Sequence, residues 1–277
     1  MELKINPLFL GLCLLSLLVD PRNTLLILLA LILHELAHLT AGWLTGLGLT
    51  RLEFFPFGAQ IMINDLTGDR PVSEVITALA GPLVSLFLSG LIYIMKGNLE
   101  WTGFSFFVQF NLLLGAFNLL PALPLDGGRV LRSLLSLQFG IRNATRIASV
   151  SGTILAFVLL GTGFYYSIHD WHAVSIVACA LFLGIKAREE RILSPYIFTR
   201  YLLRKRTLAN PVRAVVWITG TDIPVKRLMA KVRPQTCLII LVQDKMGQPL
   251  MLVTEAALID CYLEKGPNIK IGDLINS

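Results

Sequence analysis

The sequence predicts a polytopic α-helical membrane protein of about six transmembrane helices, with a re-entrant hairpin between the second and third, followed by a small cytoplasmic α/β domain. Three observations predict it. The 277 residues are 55% hydrophobic and 15% charged, with a mean hydropathy of +0.69, whereas soluble domains run near 45–50% apolar and about 25% charged. Apolar stretches that approach or reach the roughly 20 residues needed to cross a bilayer recur along the first two thirds of the chain. Near residue 193 the composition changes: basic residues thicken at Arg200, Arg204, Lys205 and Arg206, and no later run is long enough to span.

The apolar stretches fall near 6–20, 24–45, 75–96, 103–124, 147–167 and 171–186. The N-terminal run follows Lys4 without a small-residue cleavage site and reads as a retained first span. An even number of spans puts both termini on one side. That side collects Lys4, Arg51, Arg70, Arg129, Arg132, Arg142, Arg146, Lys186, Arg188 and Arg191, against Arg22 and Lys96 opposite. The positive-inside rule then makes both termini cytoplasmic in a multi-pass protein of the cell membrane. These cations explain the net charge of +6 without a polyanionic ligand, so nucleic-acid binding is not expected. Cys13, Cys179, Cys237 and Cys261 form no CxxC pair and read as reduced thiols.

Between the second and third spans, Thr50–Asn64 reads as two apolar strands turning near Pro56-Phe57-Gly58. A strand edge there can capture an extended peptide through main-chain hydrogen bonds, or the hairpin seals a cavity. In the tail, Cys237–Val242 and Pro249–Val253 read as strands around the turn Lys245-Met246-Gly247, with a helix over Glu255–Leu263. The division is a membrane domain over 1–192 and a soluble domain over 193–277.

The second span contains His34-Glu35-Leu36-Ala37-His38. At about 100° per residue, His34 and His38 project from nearly the same helix face. Two imidazoles so placed can bind one zinc ion, with Glu35 beside them to act on a water. Three ionisable residues in a hydrocarbon-spanning segment each cost roughly 2.5–3.5 kcal/mol if left unpaired, so a functional role or a buried polar network must offset them. A further ligand is needed, and Asp126 in Pro121-Ala122-Leu123-Pro124-Leu125-Asp126-Gly127-Gly128 is the candidate. The prolines and glycines break the helix, which membranes tolerate where backbone lines a polar cavity. Alternatively Asp126 only caps the helix beginning near Arg129. The second and fourth spans run in the same direction, which brings His34, His38 and Asp126 to compatible depths.

Taken together, His34-Glu35-Leu36-Ala37-His38 and Pro124-Leu125-Asp126-Gly127-Gly128, with Ala80-Gly81-Pro82 and Phe54-Phe55-Pro56-Phe57-Gly58, resemble the site-2 intramembrane zinc metalloproteases. The compact layout with a cytoplasmic tail is similar to the stage IV sporulation protease subgroup. The resemblance implies one Zn2+ per chain on His34, His38 and Asp126, Glu35 as general acid/base, and Asn118 positioning substrate or stabilising the oxyanion. If the hairpin captures substrate and does not merely seal the cavity, Phe55, Pro56, Phe57 and Gly58 are the expected substrate contacts. Ala59 departs from relatives that carry a second Gly after Phe-Gly. Substrates are expected to be membrane proteins or membrane-associated peptides in the lipid bilayer, with regulatory membrane proteins restraining the enzyme. The tail, through Val225–Met229 and Val253–Leu258, resembles one CBS repeat. Such repeats work in pairs, so a homo-oligomer through the CBS-like tail is implied. Ala257 stands where nucleotide-binding repeats carry Asp, so nucleotide binding is not expected.

The readings from other classes are a membrane transporter or channel with a structural zinc or polar core, and an inactive protein that only retains membrane partners. The scarcity of intramembrane charge argues against the first, and intact His34, Glu35, His38 and Asp126 argue against the second. His169 and His172, beside Trp171, read as interfacial polar residues with no second metal.

Overall fold

The computed structural model describes residues 2–5, 7–47, 49–55, 58–63, 70–95, 102–170, 173–205, 213–234, 236–244 and 246–274. They form two compact units. The first takes in Met1–Leu66, Val72–Arg132 and Ile147–Ile192, and the second Thr67–Pro71, Ser133–Arg146 and Leu193–Ser277.

The first unit begins with strand β1 (Glu2–Ile5), helix α1 (Pro7–Val19) and helix α2 (Pro21–Leu44). Asp20 starts α2: its carboxylate accepts the Asn23 backbone N–H at 3.2 Å, and Pro21 occupies the first turn, where no intrahelical N–H is needed. Strands β2 (Leu49–Phe55) and β3 (Gly58–Ile63) follow, then α3 (Pro71–Met95) and α4 (Thr102–Asn118). Helices α5 (Asp126–Phe139), α6 (Ile141–Ser167) and α7 (Val174–Lys205) complete the helical part. Among the described residues, α2, α3 and α6 are long and apolar enough to cross a membrane, and Phe9–Val19 and Ser105–Asn118 are shorter apolar helices.

Burial on α2 is inverted relative to a soluble helix. Leu25, Leu29, Ile32 and Leu36 are 46–59% exposed, while Thr24, His34, Glu35 and His38 are buried. In water each exposed Leu or Ile would forgo roughly 1.5–3 kcal/mol of burial. Against hydrocarbon that cost vanishes, and it is the polar side chains that must turn inward.

The hairpin strands are antiparallel, with Leu52 opposite Ile61. The turn residues Pro56 and Phe57 lie outside the described residues. The N-terminal strand was not foreseen: β1 pairs parallel with β2, Leu3 opposite Leu52, giving the order β1-β2-β3.

The fourth apolar stretch, expected to run to residue 124, is helical only to Asn118. Pro121 and Pro124 disfavour helical backbone at the residues before them and supply no N–H. The resulting loop is clamped to α6: Leu123 N–H donates to Ala148 O at 3.0 Å, and Ser151 Oγ donates to Pro121 O at 2.6 Å. Gly127 and Gly128 then let α5 start against this loop. A β-carbon at Gly127 would collide with the Leu119 carbonyl, and one at Gly128 with the Ala122–Leu123 peptide.

In the second unit, strand β4 (Arg213–Gly220), helix α8 (Val225–Met229), strands β5 (Thr236–Gln243) and β6 (Pro249–Thr254) and helix α9 (Glu255–Glu264) surround one core. Its sheet has the order β4-β5-β6, with β4 parallel to β5 (Val216 opposite Ile239) and β6 antiparallel to it (Leu252 opposite Leu241). Strand β4 was not foreseen. Leu238, Ile240, Val242 and Val253 face the core, together with Tyr201, Leu202, Met229, Leu258 and Ile259, and Ile141 also belongs to it. The turn after β5 is held by Asp244 Oδ1, which accepts the N–H groups of Met246 and Gln248 at 2.8 Å each, while Gly247 takes φ +79°. Thr254 Oγ1 caps α9 by accepting the Ala257 N–H at 3.3 Å.

Candidate metal centre

Helix α2 presents His34 and His38 one turn apart, and α5 presents Asp126 as its first residue. Their ligand atoms converge in a buried cluster. His34 Nε2 and His38 Nε2 are 3.2 Å apart, and Asp126 Oδ2 lies 3.0 Å from His38 Nε2 and 3.4 Å from His34 Nε2. Zinc bonds of about 2.0–2.1 Å in tetrahedral geometry separate neighbouring donor atoms by roughly 3.3–3.4 Å. The three observed separations are close to the edges of such a tetrahedron, so two imidazoles and one carboxylate fit zinc. A fourth position is left for water or substrate, as catalytic sites require.

The second ring nitrogens settle which way each imidazole points. His38 Nδ1 lies 2.7 Å from the Thr77 carbonyl oxygen, which can only accept, so Nδ1 carries the proton and Nε2 offers its lone pair. His34 Nδ1 lies 2.9 Å from Ser85 Oγ. Both partners stand on α3, and Gly81 lies midway between them in sequence, on the same helix face. A β-carbon at Gly81 would overlap His38 Nε2 and sit 2.8 Å from His34 Nε2. The Ala80-Gly81-Pro82 motif therefore has a steric reason: α3 must touch the imidazoles without a side chain between. Sequence reading missed Thr77 and Ser85. Ser85 carried a signal, a hydroxyl four residues past Gly81. Thr77 carried none, because it acts through its backbone.

Glu35 is buried next to this cluster in the same turn of α2. Asn118 ends α4 with its side-chain amide donated to Leu114 O at 3.0 Å, so it satisfies its own helix rather than joining the ligand cluster. Phe55 ends β2 and Gly58 begins β3, opposite each other in register. His169 is described, whereas Trp171 and His172 lie outside the described residues.

Two ion pairs fix α5. Arg129 Nη1 lies 3.4 Å from Asp126 Oδ1, and Arg132 Nη2 lies 3.8 Å from Glu74 Oε2 at the start of α3. Neither pair was foreseen from sequence.

A His-x-x-x-His pair and a carboxylate on separate helices, buried among helices whose outer faces are apolar, form a candidate zinc centre in helices suited to a membrane. Comparison with known proteins agrees. The sequence profile of peptidase family M50 matches residues 95–161, and that of the M50B-like peptidases matches residues 8–123. A zinc metalloprotease of Methanocaldococcus jannaschii is 32% identical over 142 residues, 49% of this chain and 41% of the relative. Stage IV sporulation protein FB of Bacillus subtilis is 26% identical, over 99% of this chain and 96% of its own length. The solved structure of a site-2 protease from Methanocaldococcus jannaschii superposes with a TM-score of 0.57 at 27% identity, covering 69% of this chain and 92% of that one. The chain is thus similar to peptidases of family M50 over residues 8–161 and to a site-2 protease over most of that protein's solved structure.

Proposed function

We propose that this protein is an intramembrane zinc metalloprotease that hydrolyses peptide bonds of membrane-spanning or membrane-associated substrates. The observation that carries this reading is the convergence of His34 Nε2, His38 Nε2 and Asp126 Oδ2 at metal-ligand separations, on helices whose leucines face outward. A zinc ion held there supplies Lewis acidity, polarising a peptide carbonyl and making water nucleophilic near neutral pH. Glu35 takes the proton of the attacking water and delivers it to the departing amide nitrogen. Thr77 and Ser85 keep the imidazoles oriented throughout. A helical substrate must unwind locally, because its carbonyls are otherwise engaged within its own helix.

Strand capture supports the hairpin's part. β2 is paired on both sides, so an extended peptide would add to an outer edge of the sheet, at β1 or at β3. Phe55, Pro56, Phe57 and Gly58 then contact substrate at the turn, and Asn118 steadies the substrate chain. The distribution of Lys and Arg supports six spans with both termini cytoplasmic.

The tail over 193–277 is a CBS-like domain that pairs between chains. Val216 and Ile218 of β4 and Leu250 and Leu252 of β6 are exposed on the sheet face away from the core, and pairing would cover them. With Ala257 where nucleotide-binding repeats carry Asp, any nucleotide binding by the tail is expected to be weak. The similarity to the sporulation protein over the whole chain supports a role in regulated proteolysis, for instance release of a transcription-factor precursor.

The test is zinc analysis of the detergent-purified protein alongside cleavage of a membrane-tethered test peptide in proteoliposomes. About one zinc per chain, with cleavage lost to chelator and restored by zinc, is the expected result. Zinc-free protein that still cleaves would refute the proposal.

A further inference from the structure

Asp126 divides its two oxygens between different partners. Oδ2 faces both imidazoles, at 3.0 and 3.4 Å, while Oδ1 faces Arg129 Nη1 at 3.4 Å. Arg129 lies three residues along α5 from Asp126, with its side chain 14% exposed. Its other terminal nitrogen, Nη2, is buried without a hydrogen-bond partner among the described residues. A guanidinium held this far from water is expensive unless something requires it there. The neighbouring helix turn provides the holding framework, because Arg132 is in turn paired with buried Glu74 of α3.

We infer that Arg129 is a positioning residue for the metal centre: it retains Asp126 Oδ1 so that the carboxylate offers the metal Oδ2 alone. A carboxylate released from such a partner is free to rotate and chelate through both oxygens. That adds a ligand and occupies the position a water needs, since a catalytic zinc works with three protein ligands and one open position. The guanidinium also balances the carboxylate charge in surroundings where an uncompensated anion is costly. Partners of this kind around a ligand typically govern metal affinity by roughly 10–100-fold. The inference rests on the reading of His34, His38 and Asp126 as metal ligands.

The experiment uses the full chain in detergent and reads two quantities besides activity. One is zinc affinity by chelator competition, and the other is the visible absorption of the Co2+-substituted protein, whose intensity falls as coordination rises from four to five. Arg129→Met is expected to bind zinc roughly 10–100-fold more weakly than wild type and to give a weaker Co2+ band at full loading. If Arg129→Met does not fold, Arg129→Gln, which is shorter and polar, is read by the same two measurements with the same expectation. Wild-type zinc affinity together with an unchanged Co2+ band in the folded variant overturns the role of Arg129 while leaving the metal site intact. A wild-type chain that holds no zinc at all overturns both readings.

Discussion

Gly81 of α3 lies directly against His38 of α2, so closely that a β-carbon at position 81 would overlap the His38 Nε2 atom. The overlap falls on the nitrogen that faces Asp126, so this contact ties a packing requirement to the chemistry. Gly81→Ala should therefore displace the imidazoles or push α3 away. Misplacement by about 1 Å can cost on the order of 10²-fold in rate. Cleavage by Gly81→Ala is expected to fall by about that factor, with reduced zinc content and nearly unchanged helix content by circular dichroism. Full zinc loading with wild-type turnover would show that α3 has slack that this contact denies.

Ser85 holds His34 through the ring nitrogen that does not face Asp126. Ser85→Ala leaves the ring without that partner while removing only one oxygen. Zinc affinity is expected to drop by roughly 10–100-fold, and the loss of activity should be recoverable by raising free zinc. An activity loss that excess zinc does not recover would assign Ser85 a different job.

Direct removal of ligand atoms gives a graded series. His34→Ala and His38→Ala should each abolish stoichiometric zinc binding, measured by metal analysis after dialysis. Asp126→Ala should lower zinc occupancy less, because two imidazoles remain. Full zinc and full activity in Asp126→Ala would mean that another residue completes the shell.

The Arg132–Glu74 pair is buried on both sides, at 4% and 3% exposure, with 3.8 Å between the charges. Removing the carboxylate takes this counter-charge from the buried Arg132 guanidinium, and losing one member of a buried pair costs roughly 3–5 kcal/mol. Glu74→Leu should lower the unfolding midpoint in detergent. The double change Glu74→Leu/Arg132→Met should restore part of it, since the buried guanidinium is then gone as well. A double variant no more stable than Glu74→Leu would mean that the loss comes from other contacts of Glu74 and not from this pair.

The candidate metal ligands were legible in the sequence where one short segment carries them. His34 and His38 lie four apart on a helix, and Asp126 sits between the two prolines and two glycines of a break that no ordinary span needs. The structure brings those three together, yet most of what orients them was invisible. Thr77 contributes a backbone carbonyl, which has no residue signature. The Arg129 and Arg132 pairs arise only once α5 begins at Asp126 rather than near Arg129. β1 is four residues long, too short for an alternation pattern to register. Arg213–Gly220 does read as a β-branched and aromatic run, so β4 could have been found. It was obscured because its parallel partner β5 lies beyond α8, and parallel pairing leaves no local turn signal.

Glu35→Gln separates metal binding from chemistry, because the proposed role of Glu35 is that of base and not ligand. The substitution keeps size and polarity but cannot take a proton. Zinc content and cleavage of the membrane-tethered peptide should be measured on the same preparation. About one zinc per chain is expected, as in wild type, with cleavage reduced by roughly 10²–10⁴-fold, the contribution of a positioned general base. Cleavage near the wild-type rate, with zinc in place, would contradict that role.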